Sequence, residues 1–179
     1  MTIGQQNIYH CLHGEVDTLL ITGSRNMNRQ IVEEVLDRFM SHMSPLIIPP
    51  VEDDGEEFLF VKPALFHGDA KGVDRIAADI FEKAECWVDK HSIHVGYQVY
   101  AFPADWDKHG RSAGPKRNQA MADDWFMGID AKHRFFLGIW DGSSRGTKHM
   151  VDYVTSLGVP AKSSRYKGTT IFYHIPTVH

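Results

Sequence analysis

The sequence predicts an α/β fold: one domain built on an open, mostly parallel sheet with helices on both faces. Two observations carry that expectation. Short apolar runs alternate with segments whose apolar residues recur at three-and-four spacing, the order of strand and helix in a parallel sheet. In addition, 179 residues with 42% hydrophobic and 23% charged side chains suffice for one substantial core and not for two full-size domains.

The elements follow in order. TLLIT (18–22) reads as a buried strand, and GSRNMN turns the chain into a helix that aligns Ile31, Val32, Val35, Leu36, Phe39 and Met43. Residues 45–62 are proline-broken and acidic, an insert at the surface with room for one short strand. ALF (64–66) is the next apolar run. Val73, Ile76, Ala77, Ile80, Phe81, Ala84, Trp87 and Val88 then predict a helix over 73–88. YQVYAF (97–102) reads as a third central strand, and Pro115 fits the first turn of the helix after it, where a missing N–H costs nothing. RFFLGIW (134–140) is the fourth strand. Met150, Val151, Val154 and Leu157 face a last helix that Gly158 ends, with Pro160 beyond. TTIFYHI adds an edge strand. The expected layout is an N-terminal extension over 1–17, the domain over 18–162 and a C-terminal strand or tail over 163–179.

Composition excludes several classes. A net charge of −4 argues against a general nucleic-acid coat. No run approaches a membrane span, and the first residues lack the basic-then-apolar layout of a signal peptide, so no membrane partner is expected. Cys11 and Cys86 make no disulfide framework, which points to a reducing, cytoplasmic setting. His91 and His94 stand three apart without a clustered partner, so neither a metal nor a cofactor is expected.

In such a sheet ligands collect beyond the carboxyl ends of the strands, and four turns lie there. The first holds Gly23, Ser24 and Arg25: close backbone approach, a hydroxyl donor and a bidentate fork for phosphate. An ordinary tight turn explains it equally. The second, HGDAKGVD, brackets Asp69 and Lys71 between Gly68 and Gly72. Asp69 can accept hydrogen bonds from ribose hydroxyls, whereas Asp74 is explained as a cap of the following helix. His67 is either a proton carrier or a packed strand-end side chain. The third turn carries Lys108, Arg111, Lys116 and Arg117 with no acid after Asp107, beside a helix N-terminus. Its Trp106 stacks on a base or closes the core.

In the fourth turn Asp141 ends the strand, Gly142, Ser143, Ser144 and Gly146 offer amides, and Thr147 starts the helix with a phosphate-facing hydroxyl. Its order is not that of the triphosphatase phosphate loop. Four such turns on one edge point to a nucleotide-like small molecule.

The stretches LLITGSR, FHGDAKGVDRIAADIFEK, FPADWDKHGRSAGPKRNQAMAD and FLGIWDGSSRGTKHMVDYV follow one another over most of residues 18–157. In them the chain resembles the SLOG superfamily, in its YspA/YpsA-related branch. The resemblance implies a Rossmann-like sheet that binds nucleotides or nucleotide-derived signals, and homo-oligomers paired through helices flanking the sheet. Enzymatic members, the cytokinin-activating phosphoribohydrolases, carry an R-K-x-x-M helix and a G-G-x-G-T-x-x-E loop. Arg117 and Met121 match the first, and Gly146 and Thr147 match part of the second, but Met150 occupies the glutamate position. Methionine neither stabilises a cationic sugar nor activates water.

The first expectation is therefore a binding protein, a sensor or a sequestering protein, with phosphate against the Gly142–Thr147 and Gly23–Arg25 turns, Arg117 as a clamp and Asp69 on ribose. The second is an N-glycosidase or phosphoribohydrolase using a relocated carboxylate, with Asp69 and Arg117 the candidate catalytic residues. The third, single-stranded nucleic-acid binding through the 108–117 loop as in the DNA-processing protein A group, is not favoured by the acidic total.

Overall fold

A computed structural model describes residues 17–43, 46–48, 59–88 and 93–177. The central strands are β1 (Thr18–Gly23), β4 (Ala64–His67), β7 (Gln98–Ala101) and β8 (Arg134–Trp140), joined on one edge by β9 (Lys162–Tyr166) and β10 (Thr169–His174). Two short antiparallel pairs accompany them: β2 (Leu46–Ile48) with β3 (Leu59–Val61), and β5 (Glu85–Val88) with β6 (Ile93–Gly96). The helices are α1 (Arg29–Met40), α2 (Val73–Lys83), the single turn α3 (Trp106–His109), α4 (Ala113–Gly128) and α5 (Arg145–Ser156).

The six-stranded sheet runs in the order β7-β4-β1-β8-β10-β9. Its first four strands are parallel, and β10 and β9 return antiparallel. From β1 the chain steps outward to β4 and β7, then crosses back to place β8 on the other side of β1. Strand order therefore reverses between β1 and β8, the position where α/β sheets open a crevice beyond their carboxyl ends. This is a Rossmann-like α/β domain.

Period-two alternation divides the central strands between two cores. Leu19, Ile21, Phe135 and Leu137 face α1 and α2, where Val32, Leu36, Ala77 and Phe81 meet them. Leu20, Phe66 and Phe136 turn the other way, against Met121 and Trp125 of α4 and Met150 and Val154 of α5. Leu20 lies opposite both Phe66 and Phe136, so the register aligns the large side chains across three strands. Trp125, fully buried, donates its Nε1 hydrogen to the Thr18 carbonyl at 3.3 Å and so ties α4 to the start of β1.

Several expectations need correction. The helix predicted over 73–88 stops at Lys83: Ala84 is extended (φ −84°, ψ 154°), and residues 85–88 pair as a strand. The aromatic and β-branched residues of ECWV suit a pleated ladder, and their helical spacing was coincidental. The insert holds two paired strands instead of one short strand, with residues 49–58 outside the described part. TTIFYHI, expected at the edge, is β10 and lies between β8 and β9, and β9 is the edge strand. The extension over 1–16 and His91 lie outside the described residues. Among those described, no helix is long and apolar enough to cross a membrane, and no group of three or more metal-ligating side chains occurs.

Candidate ligand-binding cleft

The four turns after the parallel strands converge on one cavity of about 510 Å³, within the size range of small-molecule sites. Gly23 and Arg25 line it from the first turn, Ala70 and Asp74 from the second, Trp106, Arg111 and Arg117 from the third, and Ser144, Gly146 and Thr147 from the fourth. Of the ligand-binding candidates read from the sequence, eight reach the cavity: Gly23, Arg25, Trp106, Arg111, Arg117, Ser144, Gly146 and Thr147.

The others brace it. Ser24 is fully buried, its hydroxyl oxygen accepting from the Asp141 N–H at 3.0 Å, while its own N–H donates to the Ile139 carbonyl at 3.0 Å. It staples the first turn to the fourth. The Asp141 carboxylate accepts from the amides of Ser143 (2.9 Å) and Ser144 (3.0 Å) and from the Ser24 hydroxyl. These donors, Ser143 foremost, hold its pKa down at about 2, so Asp141 is an ionised staple and Ser143 has no free amide to offer. Gly142 is exposed with a positive φ and lies off the cavity wall.

Thr147 does not cap α5, as the sequence suggested. Ser144 does, its Oγ facing the Thr147 amide at 3.4 Å and the Thr147 hydroxyl at 2.9 Å. The first N–H groups of a helix have no intrahelical partner. Those of Arg145 and Gly146 therefore remain for a ligand, and both residues line the cavity. Asn118 fixes this end, donating from Nδ2 to the Gly146 carbonyl at 3.1 Å.

In the second turn two acids have opposite fates. Asp69 has φ +53°, forms an ion pair with Arg75 at 3.2 Å and does not line the cavity. Lys71 is exposed and also lies off the wall. Asp74 does line it, only 4% exposed, and it does not cap α2. Instead its Oδ2 accepts from the Gly68 amide at 3.0 Å and the Ala70 amide at 3.4 Å, folding the turn back over the helix start. His67 is buried and accepts at Nδ1 from the Asp69 N–H at 3.1 Å. Burial lowers its pKa, and it is packed at the strand end, off the cavity wall.

Arg117 is anchored by the protein itself. Its Nη1 donates to the Phe102 carbonyl at 2.9 Å and its Nε to Asn118 Oδ1 at 3.0 Å. The guanidinium lies so close to Gly68 that a Cβ there would fall 2.1 Å from Nη1, which is why that position has no side chain. Lys116, one residue earlier, faces a neighbouring cavity, where Nζ lies 3.2 Å from His109 Nδ1. Arg117 is the wall between the two. Trp106, 51% exposed, stands at the rim with its ring edge over Gly114.

Burial pushes the Asp74 carboxyl up to about 6, against the opposing pull of Arg117 and the Ala70 and Gly68 amides. The folded protein thus holds this proton more tightly than the unfolded chain, whose carboxyl titrates near 3.8. Its stabilising contribution is full below about pH 3.8 and is lost as pH rises through about 6. Asp74→Asn keeps an acceptor for both amides and removes the charge. Thermal melts should show this variant gaining on the parent by about 2–3 kcal/mol between pH 4 and pH 7. A difference that stays flat over that range would contradict the assignment.

Sequence reasoning passed over Asn118, Arg145 and His149. The signal for the last two was the helix itself: they are four residues apart at the start of α5, on a face away from Met150, Val151 and Val154. His149 lines the cavity, and its Nδ1 is buried without a hydrogen-bond partner among the described residues. Met150, where the SLOG resemblance would expect a glutamate, is fully buried in the core under α4 and α5 and does not line the cleft. Among the described residues, Asp74 is the only carboxylate that does. No family model, no curated protein and no solved structure matches the chain.

Proposed function

We propose that this protein binds a nucleotide or nucleotide-derived signal in the cleft, as a sensor or a sequestering protein of SLOG type. The observation that carries the reading is the lining: four arginines, Arg25, Arg111, Arg117 and Arg145, with one carboxylate and one exposed tryptophan around a single cavity. Arginine forks suit phosphate oxygens, and the free amides at the start of α5 add donors of fixed direction. Trp106 offers a face for a base. Ribose lies between them, within reach of His149, whose unpaired Nδ1 gains a partner. A strand of nucleic acid needs successive stacking platforms, and among the described residues Trp106 is the only Phe, Tyr or Trp on the wall.

A second reading has one specific observation behind it. Asp74 brings into the cleft a carboxyl titrating near 6, suited to proton transfer during cleavage of an N-glycosidic bond. Incubation with a pool of AMP, NAD, ADP-ribose and cyclic dinucleotides, followed by mass spectrometry of pool and protein, separates the two. Binding predicts a ligand recovered intact with the protein. Free base that disappears in Asp74→Asn would establish hydrolysis instead, and no nucleotide held more tightly than millimolar would end both readings.

A further inference from the structure

Arginines outside the cleft are all held by the protein's own groups. Arg29 pairs with Glu33 and Asp79, and Arg75 with Asp69. Arg38 lies over the Tyr166 ring, and Arg165 donates to Thr170 and to the Gly168 carbonyl. Arg134 lies over the Phe126 ring, although its buried Nε has no hydrogen-bond partner among the described residues. Inside the cleft this rule breaks. Arg25, Arg111 and Arg145 have no ion pair, hydrogen bond or aromatic partner among the described residues, although all three line the same cavity.

Among the described residues, the acids of the turns nearest to them are already occupied. Asp74 is spent on the Gly68 and Ala70 amides and faces Arg117, and Asp141 is spent on two amides and the Ser24 hydroxyl. Among the described residues, three positive charges thus converge without a compensating partner, from the turns after β1, β7 and β8. A phosphomonoester supplies about two negative charges at neutral pH. Two linked phosphates carry more negative charge than one and spread it over a longer span, which matches three forks arriving from separate turns.

We infer that the cleft selects a nucleoside diphosphate over the corresponding monophosphate, with Arg25, Arg111 and Arg145 as the specificity-determining residues. The inference rests on the nucleotide reading of the same cleft and narrows its ligand class. The second phosphate meets forks that a monophosphate leaves unfilled, so the difference in affinity is carried by those arginines. Arg117, already fixed to Phe102 and Asn118, serves both ligands alike.

Calorimetric titration of the full chain with mono- and diphosphate pairs of the four common ribonucleosides, at fixed ionic strength, tests this. At least one diphosphate should bind about tenfold or more tightly than its monophosphate. In Arg111→Gln/Arg145→Gln that ratio should fall to about twofold, with thermal stability retained because both side chains are exposed. The single variants, each lowering the ratio in part, replace the double one should it fold poorly. Equal affinity for mono- and diphosphates would overturn the inference and leave the nucleotide cleft standing. A ratio unchanged in the variants would overturn the assignment of the arginines. No binding of any of the eight at millimolar concentration would overturn the nucleotide reading itself, and this inference with it.

Discussion

Gly72→Ala is expected to cost about 3 kcal/mol or more of stability. Gly72 sits at φ +81°, ψ −127°, a region that a residue with a Cβ enters only under strain. Crowding adds to that strain. A Cβ would lie 2.4 Å from the carbonyl oxygens of both Ser24 and Arg25. Those are backbone atoms, and they cannot swing aside as a side chain would. Ser24 is fixed further, its N–H bonded to Ile139 and its carbonyl receiving the Val73 N–H at 3.4 Å. Relief must therefore pull the first turn off the second and open the wall that carries Arg25. Gly146 is the control: it lies in α5 with nothing within 4 Å of its added Cβ, so Gly146→Ala should be neutral or slightly stabilising. Urea titrations of the two variants should differ by about 3 kcal/mol or more, and a Gly72→Ala protein within about 1 kcal/mol of the parent would show that the turns separate without cost.

How much of this was legible from sequence depended on what each residue touches. RFFLGIW reads as a strand with the observed ends because a central parallel strand is buried on both faces and leaves a continuous apolar run. KSSRY, which is β9, carries no such mark. It is an exposed edge strand whose place comes from its partner β10 and from the Lys167–Gly168 turn, where both residues have positive φ. That tight Lys-Gly turn was the available clue.

The cleft was legible as four turns and less so residue by residue. Asp69 and Asp74 are close neighbours in one turn, and only the backbone decides between them: φ +53° sends Asp69 outward to Arg75, while the start of α2 aims Asp74 inward. Lys116 and Arg117 are adjacent cations, yet successive residues on a helix point about 100° apart, and so they face different cavities. Composition marks such a stretch as basic. It does not say which cation enters the site.

Of the four cleft arginines, Arg117 should be the costliest to remove. Arg25, Arg111 and Arg145 are exposed and lose side-chain freedom when a ligand orders them, whereas Arg117 is already held by Phe102, Asn118 and its seat on Gly68. Arg117→Ala should weaken nucleotide binding about 10- to 100-fold, for mono- and diphosphates alike. It also leaves the Phe102 carbonyl unpaired and frees Asn118, whose amide secures Gly146, so a stability loss of about 2 kcal/mol should accompany it. Asp74 provides the sharper check. Arg117 favours its ionised form, and without the arginine the carboxyl, already near 6, should titrate higher still. The loss on Arg117→Ala should therefore be smaller in an Asp74→Asn background, by about 1 kcal/mol at pH 7, because there is no buried charge left to compensate. Arg117→Lys restores the charge without the fork, and should recover the Asp74 titration while leaving the Phe102 and Asn118 bonds incomplete. Strictly additive losses in the double variant, or an affinity loss smaller than that of Arg111→Gln, would mean that Arg117 is a packing element of the wall and that the ligand is held by the exposed arginines alone.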